Sequence, residues 1–191
     1  MLSSLHGVPF AILWLAWLGY WFVAALNVKR TERRERFGSL ILNRAPLAIG
    51  ACLLAFERQP FFWLSARFLP LSQVFYWIGL FMLAAGLGFA VWARRCLGRN
   101  WSGIVTVKQD HELIRSGPYA LVRHPIYTGL LLAILGTAIA IGEWRGLIAF
   151  VLITAGFVLK LRIEEDFMSE TFGEQYARYR AEVPALIPFI V

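Results

Sequence analysis

Two polar clusters hold the side chains of this chain that could do chemistry. The first is His111 to Gly129, HELIRSGPYALVRHPIYTG, which carries two of the three histidines. Gly117, Pro118 and Tyr119 form a turn signal, and Pro125 suits the first turn of a helix, where no amide donor is needed. Arg123 and His124 therefore stand at a helix mouth, whose unpaired amides favour an anion such as a ligand carboxylate. Tyr127 follows His124 by three positions and shares its helical face. A single histidine such as His111 is ordinarily a local hydrogen-bonding residue; the gathering of Arg123, His124 and Tyr127 at one helix start is what points to a polar ligand.

The second cluster is Lys160, Arg162, Glu164, Glu165 and Asp166, at the end of an apolar run. Lys160 and Glu164 have the spacing of a helical ion pair, and the ordinary reading is a solvated helix end. Three acids at a helix C-terminus oppose the macrodipole, so end stabilisation alone does not account for them. Cys52 and Cys96 show no paired or metal-type spacing, which predicts neither a structural disulfide nor a metal site.

The elements that position these clusters are apolar. The chain is 59% hydrophobic and 16% charged, with a mean hydropathy of +0.61, which excludes an ordinary soluble domain and predicts a single all-α, polytopic membrane domain over residues 1–191. Five transmembrane helices are expected, at about 8–28, 39–64, 74–92, 126–141 and 147–161. The first, bearing Trp14, Trp17, Tyr20 and Trp21, lacks a secretory cleavage pattern and is expected to stay attached. The second has the least definite ends. In the third, Gly79, Gly86 and Gly88 offer surfaces for close helix approach, although they do not form a GxxxG motif. The fourth and fifth, joined by Gly142 to Gly146, read as an antiparallel hairpin. From Ser169 onward, Phe172, Tyr176 and Tyr179 pattern an amphipathic C-terminal helix.

Net charge +7 would suit a nucleic-acid partner in a soluble protein, but here the basic residues read as topology signals and no nucleic acid is expected. Fifteen of the 19 Lys and Arg residues fall in Lys29 to Arg36, Arg94 to Arg123 and Lys160 to Arg180. The positive-inside rule places these segments and the C-terminus in the cytoplasm, with the N-terminus opposite.

The residues Asn100 and Trp101, His111 and Leu113, Gly117, Pro118 and Tyr119, and then Arg123, His124, Pro125, Tyr127 and Gly129 form one block. Glu164 and Glu165, Phe172, Gly173, Tyr176, Tyr179, Val183, Pro184, Ile187 and Pro188 form a second. Together they resemble the isoprenylcysteine carboxyl methyltransferase family, among the integral membrane methyltransferases that include phospholipid methyltransferases. The resemblance implies a cytoplasmic S-adenosyl-L-methionine site built from segments 98–129 and 160–189, and a lipophilic or lipidated acceptor drawn from the bilayer. It implies cofactor contacts at His111, Glu112, Leu113, Ile114, Tyr119, His124, Pro125, Ile126, Tyr127 and Glu164. Lys160 stands where the eukaryotic carboxyl methyltransferases have an arginine assigned to substrate; it keeps the charge and loses the planar fork, for which Arg162 could compensate. A carboxylate acceptor would need only positioning by Lys160 or Arg162, whereas an amine would need a base, for which Glu165 is the candidate.

Three other readings compete with carboxyl O-methylation. Phospholipid-type amine N-methylation shares the same architecture. A sterol-type membrane reductase using NADPH also has an Arg-His-Pro-x-Tyr element, although Leu130 stands here where a glutamate commonly follows the glycine. A non-catalytic membrane scaffold would use the polar segment for docking; no inverted repeat or mid-bilayer charge supports a transporter.

Overall fold

A computed structural model of the chain describes residues 2–26, 31–34, 37–56, 61–98, 106–108 and 113–188. Five long helices make the body: α1 (Leu2–Ala25), α2 (Phe37–Ala55), α3 (Gln73–Leu97), α4 (Pro125–Ile141) and α5 (Trp144–Phe172), followed by a short α6 (Glu174–Glu182). Gly7–Ala25, Gln73–Leu97 and Trp144–Phe172 are long and apolar enough to cross a membrane, and Arg44–Ala55 and Pro125–Ile141 are shorter apolar helices. The all-α membrane architecture expected from composition is therefore present. One addition is a small antiparallel ribbon of β1 (Thr31–Arg34) and β2 (Thr106–Lys108), which ties the first basic loop to the segment preceding the site.

The second helix stops at Ala55 rather than running towards Leu64; Phe62–Ser65 forms a separate 3-10 turn. The acidic cluster is also corrected. Glu164 and Glu165 lie inside α5, not at its end, because the buried stripe of Ile153, Phe157, Leu161 and Glu165 carries the helix on to Phe172. The amphipathic segment expected from Ser169 is two pieces. Gly173, at φ 50°, separates Phe172 from the α6 residues Tyr176 and Tyr179.

The helices α3 and α4 form the tightest seam. Gly79 and Gly86 are seven residues apart, as are Gly129 and Gly136. In the antiparallel pair, a Cβ on Gly79 would collide with the Gly136 carbonyl oxygen, and one on Gly86 with that of Gly129. Backbones approach this closely only where side chains are absent, which is how helices associate in a medium as apolar as their own surfaces. Gly88 meets nothing and takes no part. Trp14 of α1 donates to Thr137 of α4 across 3.2 Å, and Gly50 seats α2 against Ile153 of α5.

Gly142 ends α4 in the left-handed region, at φ 64°, and turns the chain into α5 as the expected hairpin. Its carbonyl accepts from the amides of Phe68 and Leu69 at 2.9 and 3.2 Å, which seats the α2–α3 connection over the turn. Arg145 is buried there. It donates to Glu143 at 2.6 Å and to the carbonyls of Leu53, Leu54 and Phe56 at 3.1 to 3.3 Å, satisfying oxygens at the end of α2.

Candidate functional site

The site forms at the opposite end of the hairpin. Gly117, at φ 61°, opens a 3-10 turn that buries Pro118 and Tyr119, and Pro125 then starts α4 with His124 as its N-cap. The amides of Arg123 and His124 do not face outwards as an anion site. They donate to the carbonyls of Pro184 and Ala185 at 2.8 and 3.0 Å, and Thr128 donates to that of Leu186 at 2.6 Å. The chain beyond α6 thus lies across the helix start and occupies the two amides that immediately precede Pro125.

Arg123 is the hub of this closure. Its Nε and Nη2 reach Glu165 Oε1 at 2.8 and 2.7 Å, while Nη1 donates to the carbonyls of Arg180 and Val183. Arg180 lies 3.7 Å from the other Glu165 oxygen. Tyr179 donates to the carbonyl of Tyr119 at 2.6 Å, and the Arg115 guanidinium sits 5.1 Å above its ring while pairing with Glu182. Tyr176 and Tyr179 are buried while the rest of α6 is exposed, so α6 is an amphipathic surface helix pinned by its two tyrosines. Burial raises the Tyr119 and Tyr179 phenols, the latter to about 12, so neither ionises near neutral pH.

Glu164 and Glu165 flank His124. The ring Nε2 is 3.2 Å from Glu165 Oε1 and Nδ1 is 3.4 Å from Glu164 Oε2. Burial pushes the imidazole towards neutrality, but hydrogen bonding to Glu164 and Glu165 and the charge of both carboxylates outweigh it, leaving its pKa above the ordinary value. Tyr127 donates to Glu164 and stacks between His124 and Phe157, with centroids 5.6 and 4.7 Å away. The Lys160 ammonium completes the group, 3.9 Å from Glu164 and 5.4 Å above the Tyr127 ring.

Most residues singled out from sequence therefore meet. Tyr119, His124, Pro125, Ile126, Tyr127, Lys160, Glu164 and Glu165 gather at one end of the bundle, with Ile114 packed on the adjoining apolar cluster; Leu113 is half-buried. Arg162 does not join them. It lies exposed, because a step of two residues along α5 turns it away from Lys160. His111 and Glu112, like Asn100 and Trp101, lie outside the described residues. The sequence assigned no individual role to Tyr179, Arg180 or the Pro184 to Leu186 carbonyls; the signals were the aromatic spacing of Tyr176 and Tyr179 and the presence of Tyr179 and Pro184 in the second block.

A family model for phospholipid methyltransferases matches residues 74–175, more than half of the chain. Protein-S-isoprenylcysteine O-methyltransferase B of Arabidopsis thaliana is 30% identical over 129 residues, covering 64% of this chain and 66% of that protein. The Schizosaccharomyces pombe protein-S-isoprenylcysteine O-methyltransferase is 38% identical over 96 residues, covering 49% and 41% respectively. Among solved structures, a eukaryotic intramembrane Ras methyltransferase, isoprenylcysteine carboxyl methyltransferase, superposes with a TM-score of 0.51 at 28% identity, covering 80% of this chain and 51% of that one. The matched stretch spans less than two thirds of the length of these relatives. With its helical membrane body and its paired His-Pro-x-Tyr and Glu-Glu elements, the chain belongs to the phospholipid methyltransferase family and resembles within it the isoprenylcysteine carboxyl methyltransferases.

Proposed function

We propose that the protein transfers a methyl group from S-adenosyl-L-methionine to a carboxylate on a lipophilic acceptor held in the bilayer, as the names of its relatives imply for them. The observation that carries this reading is the convergence of Tyr127, His124 and Lys160 on Glu164 where α4 begins. The donor set suits the cofactor. Glu164 is the more accessible of the two glutamates, its side chain 23% exposed against 8% for Glu165, and a carboxylate beside an aromatic face suits a sulfonium cation. Lys160 offers a compact cation for an anionic group, whether on the cofactor or the acceptor.

The residues proposed to hold S-adenosyl-L-methionine are His111, Glu112, Leu113, Ile114, Tyr119, Pro125, Ile126, Tyr127 and Glu164, with His124 behind Glu164. When bound, it supplies an electrophilic methyl group. The chain's own task is to hold the nucleophile in line with that methyl and to exclude water. Tyr127, Phe157 and Leu161 share a buried apolar cluster that would keep water from the reacting groups. Lys160 orients the acceptor.

Ester formation is favoured over N-methylation by one observation. Glu165, the candidate base for an amine, is buried and held by both edge nitrogens of Arg123, so it is engaged as an anchor. A carboxylate acceptor needs no base. Family membership likewise favours methyl transfer over the hydride transfer of a sterol-type reductase. The positive-inside rule supports a cytoplasmic site with the C-terminus on the same side.

The test uses protein purified in detergent. Calorimetry should register S-adenosyl-L-methionine binding, and membranes incubated with the methyl-labelled cofactor should yield a lipophilic product that loses its label in base. Absence of binding heat would overturn the cofactor, and a base-stable label would favour an amine acceptor.

A further inference from the structure

We infer that His124 is a resident imidazolium cation, locked between Glu164 and Glu165, and that it positions Glu164 rather than contacting a ligand carboxylate through its own ring nitrogens. The inference deepens the proposed function by assigning Arg123, Glu165 and His124 as a positioning relay behind Glu164.

The geometry carries it. A neutral imidazole has one donor nitrogen and one lone-pair nitrogen. Here Nε2 hydrogen-bonds Glu165 at 3.2 Å and Nδ1 lies at ion-pair distance, 3.4 Å, from Glu164, so a lone pair on either nitrogen would sit beside a carboxylate oxygen and be repelled. Both carboxylates are held ionised by other groups: Glu165 by Arg123 and Arg180, Glu164 by Lys160 and the Tyr127 hydroxyl. The doubly protonated ring places an opposite charge beside both carboxylates at once.

The surrounding charges close the account. Facing the ring from α5 are Glu164 and Glu165; from α4, Tyr127 stacks on it with planes 5° apart; from its own segment, Arg123 lies beyond Glu165. Arg180 of α6 and Lys160 of α5 stand on the outer sides of Glu165 and Glu164 respectively. Two adjacent anions beside one cation explain why Glu165 is needed in addition to Arg123. It fixes the ring plane, and the ring then fixes the Glu164 carboxylate against the Tyr127 hydroxyl. With both ring protons committed, His124 has none to offer a ligand. The upward direction of its pKa agrees with this arrangement.

Nitrogen-15 magnetic resonance of histidine-labelled protein in detergent, without cofactor or acceptor, tests the relay directly. Histidine residues are three, and His124→Gln identifies the signal of interest. Both His124 nitrogens should read as protonated at pH values above about 6.5, where an unperturbed imidazole has lost its proton. Glu165→Gln should bring that proton loss down by about one pH unit or more, the effect of removing one opposite charge at this range. A neutral His124 tautomer at pH 7 in the unaltered protein overturns the inference without any variant having to fold. So does a Glu165→Gln protein whose His124 titrates unchanged.

A kinetic split separates anchor from base. Loss of a positioning residue should appear mainly as about a tenfold weaker S-adenosyl-L-methionine affinity, worsening as pH rises, whereas loss of a general base would lower kcat by about 100-fold or more. The latter outcome returns Glu165 to chemistry and refutes the relay. Because the resonance measurement needs no cofactor, its failure is distinguishable from failure of the proposed methyl transfer.

Discussion

The two ends of the α4–α5 hairpin both bury an arginine paired with a glutamate, yet they are built from different partners. At the turn, Arg145 directs Nη1 at three backbone carbonyls of the α2 end. At the open end, Arg123 shares Glu165 with His124 and Arg180, and through them reaches Glu164, Tyr127 and Lys160. Carbonyls cannot change charge, so apart from Glu143 the first arrangement is a clasp onto fixed backbone dipoles. Ionisable side chains can change charge, so the second can respond to a ligand or to a proton. Buried ion pairs therefore do not announce function by themselves; what the remaining donors reach separates the two ends.

The largest expected effect tests the clasp. Arg145→Met leaves Glu143 and the α2 carbonyls without their donor in a buried setting, and should cost about 3–5 kcal/mol of stability. Thermal unfolding in detergent would measure this, while S-adenosyl-L-methionine affinity of the folded fraction should hold. An equal loss of affinity would break the distinction between the ends.

The seam joining the two ends is tested next. A side chain at Gly86 meets the Gly129 carbonyl and the Ala133 backbone, neither of which can swing aside. Gly86→Leu should destabilise by about 1–3 kcal/mol or more, whereas Gly88→Leu, which meets nothing, should be nearly silent in the same unfolding assay.

The smallest effect is a dependence on pH confined to the open end. His124 has a raised pKa in the folded protein, so its stabilisation is fully present below the ordinary value of about 6.5 and is lost as pH rises through the raised value. Melting temperature should therefore decline on the alkaline side, and His124→Gln should remove that component. Arg145→Met should keep it. A slope unaffected by His124→Gln would place the titrating group elsewhere.

Much of this was readable in the sequence because the bilayer imposes simple rules. Hydrophobic length announced the membrane helices, Gly142 announced the hairpin, and Pro125 announced the helix start beside His124. The harder features depended on pairing between distant segments. Gly79 and Gly86 became informative only once Gly129 and Gly136 were known to oppose them, since a seven-residue spacing on one helix does not name its partner. Glu164 and Glu165 looked like the end of a helix because charge was read without the buried stripe that continues to Phe172. Arg162 and Lys160 looked interchangeable until the turn of α5 sent them to different faces.

Sequence by itself determined the class of protein, the helix start that bears His124 and Tyr127, and the two blocks that resemble a methyltransferase, because each rests on local composition or on residues close along the chain. Tertiary structure alone decided that the segment after α6 occupies the Arg123 and His124 amides beside that helix start, that Arg123 anchors Glu165, and that both nitrogens of His124 lie beside carboxylates. Those are contacts between groups about 40 to 61 residues apart along the chain. Their geometry is set by how helices pack, which no local pattern encodes.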